Sequence, residues 1–290
     1  MNFSPPFSSK TAYLLVIHGS RDPRPGEAVQ LLAHQVELAL GENCLIGTAC
    51  LELAERPLHE QIMAFGDRAL RLGCCSVKIV PLFLLPGVHV REDIPAEVSL
   101  AQQALGDALT LNILPYLGSY ASMVPLLAQR LTQLRCPSSA EATVSEAIIS
   151  EAIISDLSSA TSPVILMAHG SRRVGGNQPL EAIATHLGAT PAYWSVAPKL
   201  PDQIQALLSK GHDRIIVIPY FLFAGGITDA IAQSVVQLRH DHPSTTIILG
   251  TPLGAKPDIA TLIAQEIRTA SLHKVRQEQQ NLVTSNTLKY

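Results

Sequence analysis

The sequence predicts an α/β protein that contains two copies of one unit, each with a four-stranded parallel sheet flanked by helices. Short apolar runs alternate with segments of helical spacing, and this alternation is typical of a parallel sheet with helical crossovers. The phrase His-Gly-Ser-Arg ends an apolar run twice, first at His18 and again at His169. Because the segments that follow each copy also correspond, the second half repeats the first.

In the first half, apolar runs closed by turn residues predict strands, and apolar residues three and four positions apart predict helices. Gly41 ends the first helix, and Pro57 suits the first position of the second because proline lacks a backbone N–H. The strands are predicted over residues 13–17, 43–51, 76–84 and 109–114, and the helices over residues 27–40, 57–73, from about 93, and 120–135.

The second half is predicted to follow the same order of elements. Its strands are expected over residues 164–168, 189–196, 214–223 and 246–250, with helices from 201 and over 257–267. Residues 137–162 are rich in Ser, Ala and Glu and contain a local duplication, which favours an interdomain linker. We therefore predict a catalytic domain at 1–136, a linker at 137–162, and a degenerate second domain at 163–290 that ends in a polar tail.

Composition excludes several classes of protein. A formal net charge of −3 provides no basic stripe for a nucleic acid, and no run of about 18 apolar residues is present to span a membrane. The N-terminal residues lack the basic and apolar regions of an export signal. The five cysteines form no C-x-x-C pair, and their odd number argues against a disulfide framework. We therefore expect a cytoplasmic protein with reduced thiols.

Three ionisable side chains follow successive predicted strands of the first half. His18 follows the first strand, Glu52 the second and His89 the third. Because ligands bind beyond the carboxyl ends of parallel strands, we expect these side chains to meet at one edge of the sheet. Two imidazoles and a carboxylate suit a divalent metal such as iron, cobalt, nickel or zinc, and a neutral imidazole can also accept a proton near pH 7.

The second half does not keep this set of residues. His169 occupies the position of His18, but Glu52 aligns with Ser195 and His89 with Ile227. One histidine cannot form a metal site by itself. The duplication is therefore predicted to be asymmetric, with one catalytic unit and one unit that has diverged toward ligand binding or a structural role.

The motifs around the two histidines resemble those of a known family. His-Gly-Ser-Arg-Asp-Pro-Arg, which starts at His18, and Pro-Leu-Phe-Leu-Leu-Pro-Gly-Val-His-Val, which contains His89, are similar to motifs of the class II chelatases. The nearest members are the sirohydrochlorin cobalt- and iron-chelatases. The resemblance implies a chelatase-like fold in each half, a cleft for the tetrapyrrole between the halves, and a tandem chain that is monomeric because it forms an internal pseudo-dimer.

The resemblance also implies roles for individual residues. His18 and His89 match the metal-binding and proton-abstracting histidines, and Glu52 matches an acidic residue expected to be a metal ligand or auxiliary base. Fe²⁺ or Co²⁺ is then a substrate, with iron slightly favoured, and no permanently bound cofactor is expected. Because sirohydrochlorin carries many carboxylates, cations and hydroxyls near the strand ends are candidate substrate-binding residues. These are Ser20, Arg21, Arg24, Arg56, Arg91, Ser171 and Arg172.

Alternative functions stay open at this point. The chain could carry a metal or a tetrapyrrole without turnover, or it could insert nickel into a related tetrapyrrole. A hydrolase is a weaker interpretation because the chain lacks the Gly-x-Ser-x-Gly motif of a nucleophile elbow.

Overall fold

The computed structural model describes residues 10–41, 44–135 and 162–270, so most of the predicted linker and the polar tail lie outside the described residues. The strands are β1 Lys10–Ile17, β2 Leu45–Cys50, β3 Cys74–Pro81, β4 Thr110–Ile113, β5 Val164–Ala168, β6 Ala189–Tyr193, β7 Arg214–Pro219 and β8 Thr246–Leu249. The α-helices are α1 Arg24–Leu40, α2 Leu58–Arg71, α3 Ile94–Leu105, α4 Met123–Arg135, α5 Gln178–His186, α6 Leu200–Leu208, α7 Gly226–Asp241, and α8, helical over 257–270.

The strands form two four-stranded sheets, and all of their pairings are parallel. The order is β2-β1-β3-β4 in the first sheet and β6-β5-β7-β8 in the second, so the two halves share one topology. The predicted fold class is therefore confirmed. Within the described ranges, no helix combines the length and the apolar character that a membrane span requires.

The strands β1 and β5 each contain a continuous buried apolar run. Every residue from Ala12 to Ile17 is at most 8% exposed, and Val164 to Ala168 are at most 1% exposed. Parallel sheets covered on both faces produce such continuous apolar runs. Each sheet packs within its own hydrophobic cluster, which includes Leu14 and Ile62 in the first half and Ile165 and Ile204 in the second.

The described residues form two compact units that each combine one sheet with a helix from the other half of the sequence. The first unit contains the described residues up to Phe83, Val88–Tyr120 and residues 255–270, whereas the second contains Leu84–Gly87 and the described part of Ala121–Gly254. Helix α8 therefore belongs to the unit of β1–β4, where the Arg268 guanidinium donates to the carbonyl of Ala39 in α1.

Helix α4 in turn belongs to the unit of β5–β8. The Arg130 guanidinium of α4 donates to the carbonyl of Pro252 at 3.4 Å, and Leu134 packs near Gly250 at the end of β8. Each compact unit thus contains one helix from the opposite half of the chain. The predicted domain boundaries at 136 and 163 instead group each of these helices with the sheet of its own half.

Candidate metal-binding site

The candidate metal ligands of the first sheet lie where the direction of the chain connections changes. From β1 the chain leads to β2 on one side, and from β3 it leads to β4 on the other. Ligands of open parallel sheets bind beyond the carboxyl ends of the strands at such a switch point. His18 directly follows β1 and His89 lies in the connection after β3, so the two histidines flank this point.

A close backbone approach after β1 and β2 places His18 beside Glu52. The parallel pairing continues past the strands, because the N–H of Glu52 donates to the carbonyl of His18 at 2.8 Å. Between them, Gly19 adopts φ +102°, and a Cβ at this position would lie 1.9 Å from the carbonyl oxygen of Glu52. Only glycine fits both the backbone angle and the space.

His89 begins a single π-helical turn that leads directly into α3. The turn covers His89–Asp93, and the N–H of Ile94 donates to the carbonyl of His89, five residues earlier. Pro95 follows and has no N–H to form the α-helical bond to Arg91. π turns are rare and occur often at functional sites. The sequence placed the helix start near residue 93, so it missed this turn.

The three side chains form a compact group. One ligand atom from each of His18, Glu52 and His89 lies within 4.8 Å of the others, and this is the metal-capable group found among the residues that the structure describes. His18 Nε2 lies 4.0 Å from Glu52 Oε2, and the two imidazole rings meet edge to face with centroids 4.7 Å apart. About half of the His18 and Glu52 side chains is exposed, so an ion can reach them.

Phe83 supports both imidazoles from the end of β3. Its ring centroid lies 6.4 Å from that of His18 and 6.2 Å from that of His89, and the ring also packs against the hydrophobic cluster of the first unit. Phe83 was not predicted as a site residue, although its position near the end of the apolar run at 76–84 indicated that it lies at the same edge of the sheet.

Asp93 is a second residue that the sequence analysis missed. Its Oδ2 lies 2.7 Å from Nδ1 of His89. Because a carboxylate only accepts hydrogen bonds, Nδ1 of His89 carries the proton. His18 Nδ1 likewise faces an acceptor, the carbonyl of Gly19, at 3.3 Å. Both imidazoles therefore keep the Nε2 lone pair for a metal ion or a proton. The signal for Asp93 was its spacing, four residues after a histidine at a helix start.

A cavity of about 280 Å³ adjoins the group. Its wall includes Glu52, Asp93 and Glu97, together with apolar side chains that precede and begin α2. This volume lies just below the range of pockets that enclose drug-sized ligands. The cavity does not have room for a whole tetrapyrrole.

The predicted substrate-binding residues of the first unit all follow strand ends. Ser20, Arg21, Arg24, Arg56 and Arg91 are exposed. The Ser20 hydroxyl accepts the N–H of Asp22 at 3.0 Å. Burial raises the pKa of Tyr116, which follows β4, and the positive charge of Arg91 partly offsets this effect.

Arg24 differs from the other arginines because it already has a carboxylate partner. Its Nε donates to both carboxylate oxygens of Asp22, at 3.0 Å and 3.1 Å. The hydrogen bond from Arg24 lowers the pKa of the Asp22 carboxyl. A substrate carboxylate would have to displace Asp22 to bind this guanidinium bidentately, so Arg24 fits its predicted role less well than Arg21 or Arg56.

The second unit repeats the backbone of the site without its ligands. The N–H of Ser195 donates to the carbonyl of His169 at 2.8 Å, as the N–H of Glu52 does to His18. The Ser195 hydroxyl donates to the carbonyl of Gly170 at 3.1 Å. Ile227 stands eight residues after the last residue of β7, as His89 does after β3. This register agrees with the alignment of Glu52 with Ser195 and of His89 with Ile227.

The remaining two predicted substrate-binding residues follow β5 in the second unit. Ser171 is held locally, because its N–H donates to Oδ1 of Asn177 at 2.7 Å and its hydroxyl accepts the N–H of Arg173 at 3.2 Å. Arg172 is exposed. Both side chains thus lie at the carboxyl edge of the second sheet.

Fold and site together define a duplicated, doubly wound α/β protein whose described residues contain one metal-capable group, in the first unit. The chain belongs to the CbiX family, whose model matches residues 12–134 and 163–270. The resemblance to chelatases that the histidine motifs predict is therefore confirmed.

Two curated relatives match nearly the whole chain. A sirohydrochlorin cobaltochelatase of Priestia megaterium is 24% identical over 262 residues, which cover 87% of this chain and 77% of that protein. A sirohydrochlorin ferrochelatase of the same organism is 23% identical over 270 residues, which cover 89% and 90%.

Solved structures share the fold. SirB from Bacillus subtilis with Fe³⁺ superposes with a TM-score of 0.66 at 19% identity and covers 89% of this chain and 94% of SirB. SirB from B. subtilis subspecies spizizenii in complex with cobalt superposes with a TM-score of 0.62 at 22% identity and the same coverage.

Proposed function

We propose that the protein is a sirohydrochlorin chelatase that inserts Fe²⁺ or Co²⁺ into the tetrapyrrole and releases two protons. The observation that carries the proposal is the group of His18, Glu52 and His89, whose ligand atoms lie within 4.8 Å of one another. The names of the relatives support the substrate, since one is a cobaltochelatase and another a ferrochelatase for sirohydrochlorin.

The donor set fits the reaction. Inserting M²⁺ requires that the ion lose its water ligands and that two pyrrole N–H protons be removed. Neutral imidazoles bind borderline ions such as Fe²⁺ and Co²⁺, and they release them more readily than thiolates do. They also accept protons near neutral pH. We assign His18 and His89 to both tasks. Glu52 offsets the positive charge of the ion and completes its coordination beside His18.

Substrate binding is assigned to the cations around the first sheet. Arg21, Arg56 and Arg91 are exposed and follow successive strands, so their guanidinium groups can bind the carboxylates of sirohydrochlorin bidentately. We assign lesser roles to Ser20 and Arg24, which already contact Asp22. Ser171 and Arg172 provide corresponding donors in the second unit.

Replacing His89 by alanine tests the proposal directly. The variant should lose more than about 99% of insertion activity, because general acid–base catalysis alone contributes roughly 10²–10⁴-fold and a metal ligand is lost as well. The assay follows the absorption change of sirohydrochlorin on addition of Fe²⁺ or Co²⁺ under anaerobic conditions. His34→Ala is the matched control, since His34 is an exposed residue of α1 that pairs with Glu37 and is not part of the metal-capable group.

The same assay separates the alternatives. Binding of sirohydrochlorin or metal by the wild-type protein without a metallated product would support a carrier and refute the chelatase. Turnover with Ni²⁺ on a related tetrapyrrole, but not with Fe²⁺ or Co²⁺ on sirohydrochlorin, would support a nickel chelatase. We further propose that the protein acts in the cytoplasm. We also propose that it is a monomer, because one chain supplies both chelatase-like units. Light scattering of the purified protein measures its mass and tests the monomer.

A further inference from the structure

We propose that Asp93 is a positioning residue, which fixes the orientation and the tautomer of His89 so that Nε2 faces the metal ion. The proposal rests on the function proposed above, because it assigns a residue that serves the same metal site. Asp93 is not one of the three groups whose ligand atoms lie within 4.8 Å of one another. It acts on the ion only through His89.

The hydrogen bond between the two residues determines which nitrogen is available. Oδ2 of Asp93 lies 2.7 Å from Nδ1 of His89, and a carboxylate offers only acceptor atoms. In the neutral imidazole, the proton therefore lies on Nδ1 and the lone pair lies on Nε2. Metal-binding histidines commonly donate their second ring N–H to a carboxylate, which holds the ring in place and raises the basicity of the ligand nitrogen.

A capping role does not explain this carboxylate. Asp93 stands immediately before α3, where an aspartate usually accepts a hydrogen bond from the backbone N–H of the second or third helical residue. Its side chain makes no such capping bond. The π turn of His89–Asp93 instead joins the two residues at a spacing of four, so the carboxylate lies against the imidazole.

The same helix contains a matched control pair. Glu97, four residues after Asp93, accepts a hydrogen bond from His59 Nδ1 at 2.9 Å and from the backbone N–H of His59 at 2.7 Å. This pair joins the start of α2 to α3, and His59 is not part of the metal-capable group. Glu97→Gln therefore perturbs a histidine–carboxylate pair of similar geometry without changing a contact of His89.

The first test measures metal binding and turnover in Asp93→Ala, Asp93→Glu and Glu97→Gln. Loss of a carboxylate behind a metal-binding histidine typically lowers metal affinity or activity by about 10–100-fold, and we expect a loss in this range for Asp93→Ala. Co²⁺ affinity is read from the visible absorption of the bound ion, and kcat and KM for the metal are measured separately. Asp93→Glu should recover part of the loss, and Glu97→Gln should stay within about twofold of wild type.

The second test reads the tautomer of His89 by ¹⁵N NMR, with the signal assigned from its absence in His89→Ala. We expect Nδ1–H in the wild type and in Glu97→Gln, and a shift toward Nε2–H in Asp93→Ala. Wild-type Co²⁺ affinity together with an unchanged tautomer in Asp93→Ala would overturn the proposal. Equal losses in Glu97→Gln and Asp93→Ala would also overturn it, because they would indicate a general effect on α3.

The two proposals fail in different ways. A wild-type protein that binds Co²⁺ but never metallates sirohydrochlorin refutes the chelatase function, while Co²⁺ affinity and the His89 tautomer still decide the role of Asp93.

Discussion

Replacing Gly19 by alanine should damage both the stability of the first unit and its affinity for metal. Gly19 lies between His18 and the backbone of Glu52, and an added Cβ would meet the Glu52 carbonyl oxygen at 1.9 Å. That distance is more than an ångström too short, so β1 and β2 must separate beyond their ends. The separation breaks the 2.8 Å bond from the Glu52 N–H to the His18 carbonyl.

The expected change in the free energy of unfolding is the sum of two costs and one gain. A positive φ costs an L-residue roughly 1–2 kcal/mol, and the lost hydrogen bond costs about 1 kcal/mol. Alanine also stabilises the folded state by about 0.4–1 kcal/mol, because it restricts the conformations of the unfolded chain. We expect the free energy of unfolding of the first unit to fall by about 2 kcal/mol. The movement of Glu52 away from His18 should also weaken Co²⁺ binding by about tenfold, as is typical when a supporting contact of a metal site is lost.

Gly73→Ala is the matched control in the same unit. Gly73 has a φ of +77°, but a Cβ there would meet nothing within 4 Å. The Gly73→Ala substitution has only the backbone cost, so we expect the free energy of unfolding to fall by about 1 kcal/mol and the Co²⁺ affinity to stay unchanged. Urea unfolding gives the free energies, and Co²⁺ titration gives the affinities. Equal effects of the two substitutions in both measurements would refute the argument that close packing at Gly19 positions the site.

Two further predictions concern the second unit. Ser195→Glu combined with Ile227→His gives the second unit the residue types that surround His18 in the first. Together with His169, these residues should bind a second Co²⁺ per chain. A titration that still saturates at one equivalent would show that the second unit cannot form the site. Burial and Glu181 raise the pKa of Tyr193 to about 12, against 10.0 in the unfolded chain. The phenol therefore stabilises the folded state fully below pH 10, and this contribution is lost as the pH rises toward 12. Tyr193→Phe should weaken the fall in thermal midpoint over that range, and identical profiles would contradict the assignment.

The regular elements could be predicted from sequence because their signals are local. The β5 run at 164–168 matches the observed strand residue for residue. Helix α1 begins three residues before the predicted position, because Pro25 near its start already has a helical φ and needs no N–H donor. The strand β3 ends at Pro81, although the apolar run continues to residue 84, because hydropathy does not mark where pairing stops.

The site was predictable as a set of strand ends but not in its details. Parallel strands bring their carboxyl ends to one edge, and this rule predicts that His18, Glu52 and His89 lie together. The contact of Asp93 with His89 has the four-residue spacing of helical neighbours, but the predicted helix start near residue 93 left His89 outside the helix, so this spacing was not recognised. The exchange of α4 and α8 was also invisible, because amphipathic spacing shows that a helix packs but does not show which sheet it covers.

That exchange determines the order in which the protein can be completed during synthesis. The sheet that carries the metal-capable group leaves the ribosome before the second sheet, but the helix that finishes its unit is encoded after the second sheet. In α8, side chains such as Ile259, Ile263 and Ile267 are at most 1% exposed, so the first unit keeps an open apolar surface until α8 has been synthesised. The half that is made first is therefore the half that closes last, and a truncated chain lacks a finished metal-binding unit.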